Sequence, residues 1–124
     1  FSRVLHHTSY YDITIYGDST QTRSFCYVDD LIEGFIKLYF TEKVHQPINL
    51  GNPVPVTMVK LAEEIITMTN SISKITFKPL PNDDPKQREP IIEKAEKILN
   101  WKPKTSRSDG LLKTIEYFKP LVVV

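Results

Sequence analysis

Glycine, cysteine and long apolar runs are scarce in this sequence, and each shortage excludes a class of protein. Only four of the 124 residues are glycine, and they lie far apart, so the Gly-rich turn of a dinucleotide-binding site is absent. The single cysteine, Cys26, cannot form a disulfide within the chain, which favours a reducing, cytoplasmic compartment. No apolar run approaches the ~20 residues of a membrane-spanning helix, so no membrane partner is expected.

Charge and composition are both ordinary. Sixteen basic residues balance fifteen acidic ones, and the net charge of +1 gives no reason to expect a nucleic-acid partner. Hydrophobic residues make up 40% of the chain, which suits one globular domain of this length. The first residue is Phe1 and not Met, which leads us to expect that a larger protein continues upstream.

Two short motifs could bind metal or perform acid–base chemistry. His6 and His7 are adjacent and therefore point to different faces, so we interpret them as surface histidines and predict no metal site. Asp29 and Asp30 could form a carboxylate pair for acid–base or metal chemistry. Our preferred interpretation of both aspartates is helix capping and compensation of the helix dipole.

Tyr39 and Lys43 have the Tyr-x-x-x-Lys spacing of the catalytic pair of short-chain dehydrogenases. Residues i and i+4 share one face of a helix, where a lysine could lower the pKa of a phenol. The chain has six tyrosines, so the spacing arises easily by chance. Tyr39 also falls on the apolar stripe of its helix, and we interpret it as a core residue.

Apolar periodicity predicts an α/β chain with short strands and four amphipathic helices. Extended segments are predicted at 12–16, 22–28, 47–50 and 74–80. Helices are predicted at 30–42, from an N-cap at Thr57 to about Asn70, from Pro90 to a stop at Trp101, and after a capping box of Ser106 and Asp109.

Five segments, in this order, resemble the C-terminal region of the extended short-chain dehydrogenase/reductase (NAD-dependent epimerase/dehydratase) family. They are ITIYGDSTQTRSFCYVDDLIEGF at 13–35, PINLGNP at 47–53, TMVKLAEEI at 57–65, DDPKQREP at 83–90 and KILNWKP at 97–103. Within the family the best match is the UDP-glucuronate decarboxylase (UDP-xylose synthase) group. The dTDP-glucose 4,6-dehydratases and UDP-sugar 4-epimerases are near relatives, and the resemblance covers residues 12–118.

The resemblance implies that the parent is a homodimeric enzyme whose Rossmann half binds NAD. There, NAD oxidises the sugar at C4, the 4-keto acid loses carbon dioxide, and NADH returns the hydride. The Rossmann half and its catalytic Tyr-x-x-x-Lys pair are missing here, so no catalytic or cofactor-binding residue is expected in this chain. Residues 1–124 would be a single substrate-side segment, with the last strand of the Rossmann sheet near 47–50.

The resemblance also assigns the substrate-binding residues. Tyr16 and Gly17 match the strand-end turn beside the nucleotide. Gln21 and Arg23 match the Gln-Thr-Arg string whose arginine reaches the diphosphate, and Arg88 matches a second arginine that contacts diphosphate or ribose. Two guanidinium groups suit a diphosphate because charge-assisted hydrogen bonds are worth roughly 1.5–3 kcal/mol each.

Four positions depart from the family pattern, and one of them, Ser2, falls where a nucleotide-contacting asparagine is expected. Ser19 replaces a glycine and is less suited to a positive φ, while Ile91 replaces an aspartate that could bind ribose hydroxyls. Asn100 replaces the glycine of a turn, where asparagine also tolerates the left-handed conformation.

Three interpretations remain open. The chain is part of a UDP-glucuronate decarboxylase and inactive alone, or part of an epimerase or 4,6-dehydratase, or a stand-alone protein that binds a nucleotide sugar or regulates a relative. For the isolated chain we expect aggregation or oligomerisation, because a missing sheet leaves apolar helix faces exposed.

Overall fold

The computed structural model describes residues 12–79 and 87–121, which form short strands and amphipathic helices. In chain order the strands are β1 Ile13–Tyr16, β2 Thr22–Ser24, β3 Pro55–Thr57, β4 Ile75–Lys78 and β5 Gln87–Arg88. The helices are α1 Val28–Phe40, α2 Met58–Thr69, α3 Glu93–Leu99 and α4 Arg107–Phe118, followed by a 3-10 turn at Lys119–Leu121. The predicted α/β class with four helices is confirmed over these ranges. None of these helices combines the length and the apolar character that a membrane crossing requires.

Internal contacts divide the chain into two compact units. The described part of the first comprises 12–23, 56–79, Gln87 and 111–121, and that of the second comprises 24–55 and 88–110. β1 and β4 pair in parallel, and β2 lies between β3 and β5 in a three-stranded sheet. Because the chain passes repeatedly from one unit to the other, no linker composition marks a boundary in the sequence.

The first unit is built on β1 and α2. Ile13 and Ile15 alternate with outward residues on β1 and pack with Ala62 of α2 in a buried cluster. The Thr57 hydroxyl accepts the Lys60 N–H at 3.2 Å and caps α2 as predicted. These contacts fix the start of α2 beside the sheet.

The second unit is organised around Trp101, which is only 2% exposed and packs with Ile92, Ala95 and Leu99. α1, predicted at 30–42, lies two residues earlier, and its Gly34 faces this indole. A Cβ at position 34 would lie 3.0 Å from Trp101 Cε2, so glycine permits the close approach of helix and ring. Trp101 therefore anchors this unit by packing.

The predicted start of α3 at Pro90 is wrong, because the helix begins later. The helix begins at Glu93, and Pro90 instead packs against Gly51, where a Cβ would lie 2.8 Å from the proline Cγ. This tertiary contact determines the position of Pro90. At the other end, Asn100 adopts the left-handed conformation with φ 46°, as predicted for this turn.

The segment 47–50, predicted as a buried strand, belongs to no strand in this structure. Ile48 and Leu50 do pack against the Trp101 cluster. A strand is defined by backbone pairing with a neighbour, and no strand of the described ranges pairs with 47–50. Its membership in a Rossmann sheet stays a prediction.

Ser19, the departure noted in the turn after β1, has φ 71°. This conformation crowds a Cβ, so Ser19→Gly is expected to raise the free energy of unfolding by roughly 0.5–1 kcal/mol. Urea unfolding of the two proteins measures the difference. The matched control, Ser108→Gly on the exposed side of the first turn of α4, should lower stability slightly, by at most about 0.5 kcal/mol. If the Ser19→Gly variant is less stable than the parent, the positive φ does not strain the backbone at Ser19.

Candidate functional site

A cavity of ≈ 260 Å³ opens beside β1 in the first unit. Four residues of β1 and four of α2 line it, together with Gln21 and Arg23. The α2 residues are apolar, and the polar residues of the lining are Thr14, Tyr16, Gln21 and Arg23. An apolar wall with a few polar groups is typical of a small-molecule site.

Backbone hydrogen bonds hold the turn between β1 and β2 in place. The Gly17 N–H donates to the Lys78 carbonyl at 2.7 Å, which continues the pairing of β1 with β4. The Gln21 carbonyl accepts the Met58 N–H at 3.1 Å, which ties the end of the turn to the start of α2. The turn therefore brings Gln21 back to the cavity that β1 lines.

Gln21 is the polar side chain most enclosed by this cavity. It is only 4% exposed, and its Nε2 has no hydrogen-bond partner among the described residues. A Cβ at Gly17 would clash with this amide in its present position and would be strained at the φ of 107°, so glycine lets the turn pass close to Gln21. Because a buried donor without an acceptor costs about 1–3 kcal/mol, the amide is suited to a ligand oxygen.

Tyr16 and Arg23 complete the polar part of the wall. Tyr16 ends β1 and is half exposed, whereas Arg23 on β2 is partly buried. The Arg23 Nη1 donates to the Thr22 carbonyl at 2.8 Å. A guanidinium has five N–H donors in a planar fork.

Three of the five predicted site residues, Tyr16, Gln21 and Arg23, line one cavity, and Gly17 packs against Gln21. Arg88 is exposed on β5 and belongs to the second unit. Thr14 also lines the cavity but was not among the predicted site residues. The alternation along β1 could have placed it on the same side as Tyr16. Ligand binding by any of the five stays a prediction.

Asp30 has a different role from the predicted helix cap. It is buried, and its carboxylate accepts the N–H groups of Lys104 at 3.0 Å and Thr105 at 2.8 Å, and the Thr105 hydroxyl at 3.1 Å. Its carbonyl accepts the Trp101 Nε1–H at 2.9 Å. Asp29 is exposed, so the two aspartates form no paired acid–base site.

Two groups in the second unit have shifted pKa values. Burial, and secondarily the charge of Asp30, raises the pKa of Cys26. Hydrogen bonding from Lys104, with a smaller contribution from Lys37, lowers the pKa of Glu33. Cys26 is partly buried and packs against the Trp101 cluster.

The interpretation of Tyr39 as a core residue is wrong, because 82% of this side chain is exposed. α1 ends at Phe40, and Lys43 lies beyond the helix with φ 63°. The two residues therefore do not share the helical face that a catalytic pair requires. Tyr39 instead makes an edge-to-face contact with Phe40 at a centroid distance of 5.0 Å.

Metal and dinucleotide chemistry have no ligand set in the described ranges. No three His, Cys, Asp or Glu side chains of residues 12–79 and 87–121 form a metal-binding cluster, and His6 and His7 lie outside these ranges. The four glycines are separated by at least 17 positions, and Gly34 lies inside α1. The four glycines are therefore too far apart in the sequence to form the Gly-rich turn of a dinucleotide-binding site.

Comparison with known sequences identifies relatives over most of the chain. Residues 1–51 match the NAD dependent epimerase/dehydratase family. UDP-glucuronic acid decarboxylase 1 of Arabidopsis thaliana is 46% identical over 107 residues, which are 86% of this chain and 24% of the relative. The Danio rerio protein of the same name is 42% identical over 106 residues, 86% of this chain and 25% of the relative.

Solved structures share the fold. UDP-glucuronic acid 4-epimerase from Bacillus cereus, in complex with UDP-glucuronic acid and NAD, is 32% identical with a TM-score of 0.82, covering 89% of this chain and 36% of that one. UDP-glucose 4-epimerase from Thermotoga maritima, with UDP-glucose, is 27% identical with a TM-score of 0.85, covering 98% and 38%. The chain spans about a quarter of the length of its curated relatives and about a third of these solved ones.

Proposed function

We propose that this chain, whose sequence and fold are those of the NAD-dependent epimerase/dehydratase family, is the nucleotide-sugar-binding portion of a UDP-glucuronate decarboxylase. The buried, unpartnered amide of Gln21 beside Arg23 is the observation that carries the proposal. The 46% and 42% identities to decarboxylases, against 32% to a solved 4-epimerase, support this reaction within the family.

The cavity chemistry suits the uridine and diphosphate of such a substrate. The apolar wall of β1 and α2 accommodates a flat ring, and the Gln21 N–H can donate to a ring or ribose oxygen. The Arg23 fork suits diphosphate oxygens, and Tyr16 offers an aromatic ring and a hydroxyl at the end of β1. Arg88, in the second unit, is proposed as a separate contact to diphosphate or ribose.

The same proposal makes the isolated chain inactive. The hydride carrier and the catalytic Tyr-x-x-x-Lys pair belong to the upstream Rossmann half of the parent enzyme, which we propose to be a cytoplasmic homodimer and a lyase of nucleotide-sugar metabolism. Bound NAD supplies hydride chemistry there, and this chain's residues hold and orient the UDP-sugar.

A hybrid enzyme tests the proposal. In the decarboxylase hybrid, this chain replaces the matched 106 residues of the Danio rerio relative. We expect the hybrid to release carbon dioxide from UDP-glucuronate, while the host without those residues and this chain alone release none. A hybrid that folds and binds NAD without any turnover or any UDP binding would refute the proposal.

The epimerase alternative has its own support in the 32% identity to the Bacillus cereus enzyme. In a second hybrid, this chain replaces the matching residues of that enzyme. Both hybrids are assayed with UDP-glucuronate, so only the host differs between them. For each hybrid, kcat/KM is divided by that of its unmodified host. A higher ratio for the decarboxylase hybrid than for the epimerase hybrid supports the decarboxylase parent. The reverse order would support an epimerase.

A further inference from the structure

The chain has two methionines, of which one lines the cavity and the other does not. Met58 is the first residue of α2 and packs against the cluster of Ile13, Ile15 and Ala62. Met68 lies near the other end of the same helix, outside the cavity wall. Both side chains are partly buried, so the two thioethers differ mainly in whether they line the site.

A thioether that peroxide can reach is open to oxidation. The sulfur lone pair attacks one oxygen of hydrogen peroxide, the O–O bond breaks as the S–O bond forms, and the peroxide is reduced to water while the sulfur is oxidised to the sulfoxide. This change converts a flexible apolar side chain into a polar one. At Met58 the polar group would enter a wall that α2 otherwise forms with the apolar residues Leu61, Ala62 and Ile65.

The same cavity contains hydrogen-bond donors that suit a sulfoxide oxygen. The Met58 N–H donates to the Gln21 carbonyl at 3.1 Å, so these two residues are neighbours in the fold. The Gln21 Nε2 is buried and has no hydrogen-bond partner among the described residues, and Arg23 also lines the cavity. A sulfoxide oxygen accepts hydrogen bonds, and at Met58 it would compete with a ligand for the donors of Gln21 and Arg23.

We propose that Met58 is a reversible oxidation site and that its sulfoxide weakens the binding of the UDP-sugar. This inference rests on the proposed function, because the cavity that Met58 lines is the one proposed for the nucleotide sugar. Oxidation makes the apolar wall polar and occupies ligand-binding donors, and methionine sulfoxide reductases return the side chain to the thioether. Binding in this cavity then depends on the oxidation state of one residue.

Cys26 is a competing target for peroxide, and it differs from Met58 in place and in chemistry. It lies in the second unit, whereas Met58 and the cavity belong to the first. Burial, and secondarily the charge of Asp30, raises the pKa of its thiol, which lowers the fraction of the thiolate that peroxide oxidises. Thiol reductants reverse the first oxidation products of cysteine but do not reduce a sulfoxide, so the choice of reductant separates the two reactions.

Peroxide treatment of the decarboxylase hybrid, followed by a thiol reductant, tests the proposal. Peptide mass spectrometry measures the fraction of Met58 and of Met68 that has gained one oxygen atom, and titration with UDP measures the affinity before and after treatment. We expect the oxidised hybrid to bind UDP roughly tenfold or more weakly, because a polar group then lies in the apolar wall. Treatment with both methionine sulfoxide reductases should restore the affinity.

Two leucine variants assign the effect to one sulfur atom, because leucine keeps an apolar side chain of similar volume. Each variant is compared with itself before peroxide, and the sulfur atoms of the host are the same in all of them. The loss of affinity should disappear in Met58→Leu and persist in Met68→Leu, the matched control. An equal loss in Met58→Leu would overturn the proposal, and so would a Met58 that stays unoxidised while Met68 is converted. Met58→Gln, which places a polar group there without peroxide, should weaken UDP binding even if the Met58→Leu hybrid fails to fold.

The results distinguish failure of this inference from failure of the proposed function. A hybrid that binds UDP equally well before and after complete oxidation of Met58 would retain the function and refute the inference. An untreated hybrid that folds but never binds UDP would refute the proposed function, and with it the effect of oxidation on binding, whatever the mass spectra show.

Discussion

Replacing Asp30 with alanine is expected to lower the free energy of unfolding by about 3 kcal/mol, the largest stability effect that we predict for one side chain. The carboxylate is buried and accepts three hydrogen bonds from Lys104 and Thr105, two of them from backbone N–H groups. Alanine leaves both N–H groups without an acceptor, and an unsatisfied buried donor costs more than the bond itself contributed.

The chain offers a close control in Asp29, which is exposed in the same first turn of α1. Asp29→Ala removes an equal negative charge from the first turn, where it interacts favourably with the helix dipole. It should lower the free energy of unfolding by only about 0.3–1 kcal/mol. Urea unfolding compares the two variants, and amide hydrogen exchange at Lys104 and Thr105 reports the local loss. Equal destabilisation by both variants would show that Asp30 acts through the dipole, as the sequence suggested.

Local patterns predicted most of the fold because they depend on local physics. Thr57 caps α2 through a hydroxyl three residues from its partner, and Asn100 adopts the left-handed conformation that ends α3. The Ser106 hydroxyl accepts the Asp109 N–H at 3.1 Å, which is one of the two bonds of the predicted capping box, and it donates to the Asp109 carboxylate at 2.6 Å in place of the second. Each of these features involves residues within a few positions of one another, so a short stretch of sequence is enough to predict it.

The failures all involve residues distant in sequence. Asp30 contacts a loop more than 70 positions away, and Pro90 is held by Gly51. Tyr39 looks like a core residue from its periodicity, but periodicity identifies an apolar face and not the layer that covers it. The pattern therefore predicted the helix to within two residues but not the exposure of Tyr39.

The site could be predicted only in part from the residues themselves. An arginine in an extended segment, such as Arg23, is ordinarily a solvated surface residue. The family resemblance singled out Tyr16, Gln21 and Arg23, and the structure places all three on one cavity. No sequence pattern indicated that the Gln21 amide is buried without a partner, because this depends on α2 closing over the turn.

Arg23→Ala in the decarboxylase hybrid is expected to weaken UDP binding by roughly 10- to 150-fold, the equivalent of losing a charge-assisted hydrogen bond of about 1.5–3 kcal/mol. The guanidinium is proposed to bind the diphosphate, so the affinity for uridine, which has none, should not change. Competition of UDP and of uridine against UDP-glucuronate turnover gives both affinities. Lys102→Ala, which removes an exposed positive charge from the second unit, should change neither.

The ratio of the affinity for UDP to the affinity for uridine shows whether Arg23 contacts the diphosphate or only supports the cavity wall. Arg23 also donates to the Thr22 carbonyl, and loss of that bond could distort the cavity wall. Such a distortion would weaken UDP and uridine equally, and that result would remove Arg23 from the diphosphate site. Arg23→Lys keeps the charge and loses the planar fork, so it should recover only part of the UDP affinity.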